Sequence, residues 1–259
     1  MKDTLNVALI GDVSGLSGKG ALKAGLSSFV QRENIDFVIV NGENVSGGFG
    51  ISMEDYEDFR KMGIDVITSG NHIWQKEEIY PVLDSSDDLL RPVNYSSSCP
   101  GKGFTVKEVD GVKIGVISAQ GRLSMPLTDD PFETVEKTLD KMSECSLIFV
   151  DFHAEDAQEK EALAFFLDGK ITALAGTHTH VQTADEKILP QGTAYITDLG
   201  MTGALHRVIG SNPEKSIERM LTQLPMKSEV SDDDGKIQGV IVKADVKSGK
   251  ALSIRRFTE

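Results

Sequence analysis

Eight residues of this 259-residue chain combine metal-binding or proton-transfer chemistry with a shared position. Asp12 follows an apolar run at 6–10, Glu43 and Asn44 follow 37–40, and Asn71 and His72 follow 66–68. His153 follows 147–152, and His178 and His180 follow 172–175. Each run reads as a β-strand, so every one of these side chains sits just past a strand's carboxyl end. Alone, each has an ordinary explanation: a turn or helix-capping Asp, a turn Asn, a core His. Their recurrence at successive strand ends sets them apart. His178 and His180 are two apart, which in an extended segment puts both imidazoles on one side. Carboxylate, imidazole and amide oxygen suit iron, manganese or zinc, and the absence of clustered thiols argues against a structural Cys-zinc site. Leaving His72 aside, seven donors are too many for one tetrahedral ion. They suit two transition-metal ions, about 3.5–4 Å apart, sharing a carboxylate and stabilising both the attacking and leaving oxygens of a phosphoryl displacement.

The elements that must position these residues alternate along the chain. Helical segments are read at 20–30, 53–62, 131–142 and 159–167, between the strands above and further ones at 194–197 and 239–246. This rhythm predicts βαβ units and a mostly parallel sheet, whose ligand crevice lies outside the carboxyl ends of its strands. Asp110-Gly111 predicts a hairpin joining 104–109 to 112–118, and 239–246 is expected to pair with 251–256. The acidic stretch 228–235 reads as an exposed loop, and 84–103 is a candidate small lid. With no repeats and no Pro/Gly-rich linker, residues 1–259 are expected to form a single domain.

Hydrophobic residues make up 39% and charged residues 26%, which supports a sizeable buried core. No apolar run approaches the ~20 residues needed to span a bilayer, and the N-terminus has no signal-peptide pattern. Cys99 and Cys145 provide no disulfide framework. A cytoplasmic location is the expectation. The net charge of −13, with no Lys/Arg cluster, argues against a stable nucleic-acid complex or an anionic membrane partner. A small phosphodiester remains accessible if bound metal ions invert the local field. Composition leaves homo-oligomerisation open.

The motifs Gly11-Asp12, Asn41-Gly42-Glu43-Asn44, Gly70-Asn71-His72, Asp151-Phe152-His153-Ala154-Glu155 and Gly176-Thr177-His178-Thr179-His180 resemble those of calcineurin-like metallophosphoesterases. Asn-Gly-Glu-Asn-x-x-Gly-Gly-Phe-Gly-Ile at 41–51 and Ser-Gly-Asn-His-x-Trp at 69–74 resemble the YmdB-like branch more closely, as do Gln120-Gly121-Arg122 and Ile196-Thr197-Asp198-x-Gly200-Met201-Thr202-Gly203. The resemblance implies an α/β fold, a four-layer α/β/β/α sandwich, with a dinuclear site that commonly contains iron. It implies that Asp12, Glu43, Asn44 and His180 serve one ion and that Glu43, Asn71, His153 and His178 serve the other. Glu43 would bridge the ions. The implied reaction is hydrolysis of cyclic nucleotides, 2′,3′-cyclic ones first, by a hydroxide bridging the two ions, with His72 protonating the leaving oxygen. Arg122 is a candidate phosphate clamp or, equally, a loop anchor. Lys19, Ser46 and the run Ala204-Leu205-His206-Arg207 depart from the branch's usual residues. The rival readings are a regulatory protein that keeps the metals but acts through a partner, and a phosphomonoesterase.

Overall fold

The computed structural model describes residues 2–226 and 229–259. Met1 lies outside them, as does Ser228, the first residue of the expected acidic loop. The alternating strands assemble into two mixed sheets. The first is ordered β13 (Ala251–Thr258), β12 (Gln238–Asp245), β1 (Thr4–Ile10), β3 (Phe37–Asn41), β4 (Val66–Thr68). The second is ordered β5 (Phe104–Val109), β6 (Val112–Gln120), β7 (Leu147–His153), β8 (Ala173–Thr177), β10 (Ala194–Ile196), β9 (Lys187–Ile188). A short parallel pair, β2 (Asp12–Val13) with β11 (Met201–Thr202), lies beyond the end of β1.

Alternation of side chains along the strands explains the layering. Leu5, Val7 and Leu9 of β1, with Phe37 and Ile39 of β3, share one core with Val112, Ile114 and Val116 of β6 and Leu147 and Phe149 of β7. That core lies between the sheets. The opposite face of the first sheet, including Ala8, Ile10, Val38 and Val40, packs on α1 (Gly15–Glu33) and α2 (Met53–Lys61) through Leu22, Leu26, Phe29, Tyr56 and Phe59. The outer face of the second sheet, including Ile117, Val150, Phe152 and Leu174, packs on α4 (Pro131–Leu139) and α5 (Ala157–Phe166) through Val135, Leu163 and Ala164. The result is the four-layer α/β/β/α sandwich.

The expected mostly parallel sheet is instead two sheets. The first is parallel from β1 through β3 to its edge at β4 and antiparallel through β12 and β13 at the other end; the second has a parallel centre, β6-β7-β8-β10, with antiparallel β5 and β9 at its edges. Periodicity reports which faces are buried and not which strands share a sheet. The first helix begins five residues earlier than its apolar spacing indicates. Its glycine-rich start packs against β11, where a Cβ on Gly18 would lie 2.3 Å from the Thr202 carbonyl oxygen. Two short helices were not legible from pattern, α3 (Tyr80–Ser85) and α6 (Pro213–Thr222), the latter with no buried residue. None of the residues 84–103, the candidate lid, lines the cavity described below. This segment is a strap joining the sheets: Leu90 N–H donates to Ile67 O (2.8 Å) and Val93 N–H to Ser118 O (2.8 Å). Buried Asn94 fastens it further by donating to Gln120 O (2.7 Å).

Candidate metal centre

The parity that makes the inter-sheet core apolar also carries Asn41, Thr68, Asp151, His153 and Thr177 inward at the strands' carboxyl ends. There the sheets face each other through a buried polar network. Asp151 accepts from Asn41 Nδ2 (2.9 Å), from Thr177 Oγ1 (2.7 Å) and from the Thr68 hydroxyl. Thr177 Oγ1, having given its proton to Asp151, accepts from His153 Nδ1 (2.9 Å). This makes His153 Nδ1 a hydrogen-bond donor and turns Nε2 toward the cluster, where a metal ion would take the place of its proton.

His153 Nε2 lies 3.1 Å from Glu43 Oε1 and 3.0 Å from His178 Nδ1. Glu43, His153 and His178 each offer one donor atom within 4.8 Å of the others, a spacing that could hold an ion. The other nitrogen of His178 lies 3.3 Å from Glu155 Oε2, a carboxylate–histidine contact that orients the ring. Asp12 and Asn44 border the cluster. Asp12 Oδ2 accepts from the His178 backbone N–H (2.9 Å) and lies 3.9 Å from His180 Nε2. The Asn44 amide nitrogen lies 3.1 Å from Glu43 Oε1 and 3.2 Å from His180 Nε2. A half-turn of that amide would bring its oxygen to the same place. Asn71 makes no hydrogen bond through Oδ1, which is buried without a partner among the described residues. An oxygen shut away from water in this manner fits a metal ligand.

Glycines give the close approach. A Cβ on Gly70 would fall 2.1 Å from His153 Cδ2 and 2.3 Å from Glu43 Oε2, and one on Gly42 would fall 2.8 Å from Ile67. Neither glycine has the left-handed dihedral that a turn would demand; proximity is what excludes a side chain. His178 and His180 differ from the regular extended segment expected of them. Their φ values are 104° and 64°, left-handed backbone that costs a non-glycine residue about 1–3 kcal/mol. The buried Lys160–Asp198 pair holds this loop. Lys160 Nζ meets Asp198 Oδ2 at 2.8 Å, the same oxygen accepts from Thr179 N–H (3.1 Å), and Oδ1 accepts from Gly200 N–H (2.9 Å).

The electrostatics favour added positive charge. Burial pushes the Asp12 carboxyl up to about 6. Burial also works against a charged His153, but Glu43, with help from Asp12 and Asp151, carries the imidazole up to about 9. Glu43 is held well below the usual carboxylate range despite its burial, because His153 and His72 lie beside it. Burial and neighbouring His153 push His178 down to about 3. Buried carboxylates that draw a proton onto an imidazole form a site that cations can fill.

The cluster floors a cavity of about 370 Å³, whose mouth carries His72, Phe49, Glu155, Ile209 and Val230. His72 Nδ1 faces Asn44 Oδ1 (2.8 Å) and Glu43 Oε1 (3.3 Å). Thus Asp12, Glu43, Asn44, His72, His153, His178 and His180 come together, and Asn71 lies beside them in sequence with its orphaned oxygen. Arg122 does not join them. Its guanidinium donates to Asp130 (2.7 Å), the N-cap of α4, and its backbone N–H donates to Glu159 (2.9 Å), so it anchors a loop. Trp74 packs edge-on against Tyr95, and His206 is exposed; neither lines the cavity. The supporting residues Asp151, Thr177, Lys160, Asp198 and Glu155 received no role from the sequence. The inward parity of Asp151 and Thr177 on apolar strands was the available signal.

Two facing mixed sheets, helices outside them, and an acid, amide and histidine cluster at the strands' carboxyl ends define a metallophosphoesterase sandwich. The family model described as YmdB-like protein matches residues 8–257, and the chain belongs to that family. It is 40% identical to a Bacillus subtilis (strain 168) protein named 2′,3′-cyclic-nucleotide 2′-phosphodiesterase, over 98% of this chain and 96% of that one. A crystal structure described as a novel phosphatase from Mycoplasma pneumoniae superposes with a TM-score of 0.93 at 36% identity, covering 100% of this chain and 94% of that one. The crystal structure of a Thermus thermophilus protein superposes with a TM-score of 0.91 at 36% identity, covering 98% and 99%. No helix among the described residues is long and apolar enough to cross a membrane.

Proposed function

We propose that this chain is a metal-dependent phosphodiesterase that hydrolyses 2′,3′-cyclic nucleotides at this cavity. The observation that carries the reading is the convergence of buried Glu43 and His153 with part-buried His178, together with the orphaned oxygen of Asn71. The name of the Bacillus subtilis relative supports the substrate class. In this reading Asp12, Glu43, Asn44 and His180 hold one ion and Glu43, Asn71, His153 and His178 the other, iron being the expected metal. Two ions so held would supply a water of lowered pKa and offset the charge that builds on the phosphoryl oxygens. The chain's own residues do the rest. Thr177 and Asp151 keep His153 Nε2 aimed at the cluster, and Glu155 orients His178 in the same way. His72, held at Nδ1 by Asn44 and Glu43, has Nε2 left to protonate the ribose oxygen released when the P–O bond breaks.

The test is elemental analysis of protein expressed with ample metal, together with turnover of 2′,3′-cyclic nucleotides, bis-p-nitrophenyl phosphate and p-nitrophenyl phosphate. About two ions per chain are expected for a two-metal site, both lost in Glu43→Ala, with the diesters preferred over the monoester. One ion or none in the wild type would overturn the dinuclear assignment, and preference for the monoester would make the protein a phosphomonoesterase.

A further inference from the structure

We infer that Phe49 is the platform on which the base of a nucleotide substrate stacks, and that the site accepts purines and pyrimidines alike. The inference rests on the phosphodiesterase reading and adds to it where the nucleoside goes. Phe49 projects from a loop in which Gly47, Gly48 and Gly50 have φ of 68°, 91° and 77°, backbone that L side chains rarely adopt. The glycine backbone also lets the loop press against its neighbour: a Cβ on Gly48 would lie 2.4 Å from Val230 Cγ2. This backbone holds a large aromatic side chain 37% exposed at the mouth of the cavity, where water contact is unfavourable unless something covers it. The ring is fixed edge-to-face against His72, with centroids 5.0 Å apart at 70°.

That contact places an aromatic surface one ring away from the imidazole proposed to meet the ribose oxygen. In a cyclic nucleotide the base is joined to that same ribose, so a phosphodiester over the cluster brings its base to the Phe49 side. Ile209 and Val230 complete the apolar lining, and a cavity of about 370 Å³ is of mononucleotide size. Apolar side chains give contact area without reading a base edge, and stacking is sequence-tolerant because every base has a π-face. None of the cavity's lining residues is Lys or Arg, so a longer chain of phosphates finds no cationic track there.

The experiment compares wild type, Phe49→Ala and Phe49→Tyr, all metal-loaded, on 2′,3′-cyclic AMP, 2′,3′-cyclic CMP and glycerol 1,2-cyclic phosphate, which has the same reacting ring and no base. Stacking predicts that Phe49→Ala raises KM for both nucleotides by about tenfold more than for the glycerol diester. Phe49→Tyr should restore the nucleotide KM values. Saturation-transfer NMR should show base protons of the cyclic nucleotide close to the protein in the wild type and not in Phe49→Ala. Equal losses on all three substrates would show that Phe49 only props His72, and unchanged nucleotide KM values would put the base elsewhere; either overturns the platform while leaving the phosphodiesterase reading intact. A metal-loaded wild type that hydrolyses none of the three would overturn both.

Discussion

The proposed function gives the neighbours Asn71 and His72 different tasks, and their side chains have different surroundings. Asn71 Oδ1 is buried and unpartnered, whereas His72 is partly exposed at the cavity with one nitrogen engaged by Asn44 and Glu43. Replacing His72 with Ala should therefore lower cyclic-nucleotide hydrolysis by roughly 10²–10⁴-fold, the usual contribution of one acid/base group, with metal content unchanged. A p-nitrophenyl diester, whose leaving group needs little protonation, should lose far less. Equal losses on both substrates, or loss of metal, would reassign His72 as a ligand or a structural residue.

At the scale of elements, one buried and one part-buried charge contact hold segments that carry the site. Lys160 of α5 reaches Asp198 and through it the strained backbone between His178 and His180. Lys160→Met would leave a buried carboxylate without its cation, a change that costs about 3–5 kcal/mol. Chemical denaturation should show that loss in the single variant and a substantial recovery in Lys160→Met/Asp198→Asn; a double variant no more stable than the single would mean that packing of the lysine stem matters instead. The second contact joins Lys19 and Ser46 through one carboxylate. Lys19 of α1 donates to Asp55 Oδ1 (2.7 Å), and the Ser46 hydroxyl donates to Oδ2 of the same carboxylate on α2. Burial opposes the charge on Asp55, but Lys19, Ser46 and Ser52 hold it below its ordinary 3.8. Burial likewise opposes the Lys19 charge, and Asp55 and Asp58 raise it above 10.5. A depressed carboxylate stabilises above its unfolded value and loses that contribution as pH falls through its folded value. A raised lysine loses its contribution as pH rises through its folded value. Lys19→Met should thus cost about 1 kcal/mol near neutrality and approach nothing under strongly acidic conditions. Denaturant midpoints for wild type and variant across pH would check this, and a difference independent of pH would make the contact steric.

At the scale of the whole molecule, the centre draws on both sheets: Asp12, Glu43, Asn44 and Asn71 follow strands of the first, and His153, His178 and His180 belong to the end of the second. Ions bound there would cross-link the two sheets in the folded state alone. Such binding contributes about 2.7 kcal/mol per ion at a free concentration 100-fold above Kd. Removing both metals with a chelator should lower Tm by roughly 10–20 °C for a chain of this size. Differential scanning calorimetry would measure it, and a Tm indifferent to chelation would show that the ions do not bridge the sheets.

The ligand candidates were legible in the sequence because a strand's carboxyl end is a local feature: an apolar run followed by Asp, Glu, Asn or His shows where the crevice must lie. The hairpins at 104–120 and 238–258 were legible for the same reason, since turn chemistry and alternation act over a few residues. Other properties depended on separations that no local pattern encodes. The division into two sheets was one. The need for glycine at 42 and 70 was another, set by Ile67 and His153 and not by turn dihedrals. The sequence leaves Arg122 open between phosphate clamp and loop anchor, and its contacts with Asp130 and Glu159 are those of an anchor. The strained His178-Thr179-His180 loop depends on Asp12, 166 residues from His178, and on Asp198 with Lys160, 38 residues apart. Residue chemistry and short-range periodicity therefore determined which side chains could act. Tertiary packing alone decided how they are held, because hydrogen bonds between residues distant in the chain form only once the two sheets close on each other.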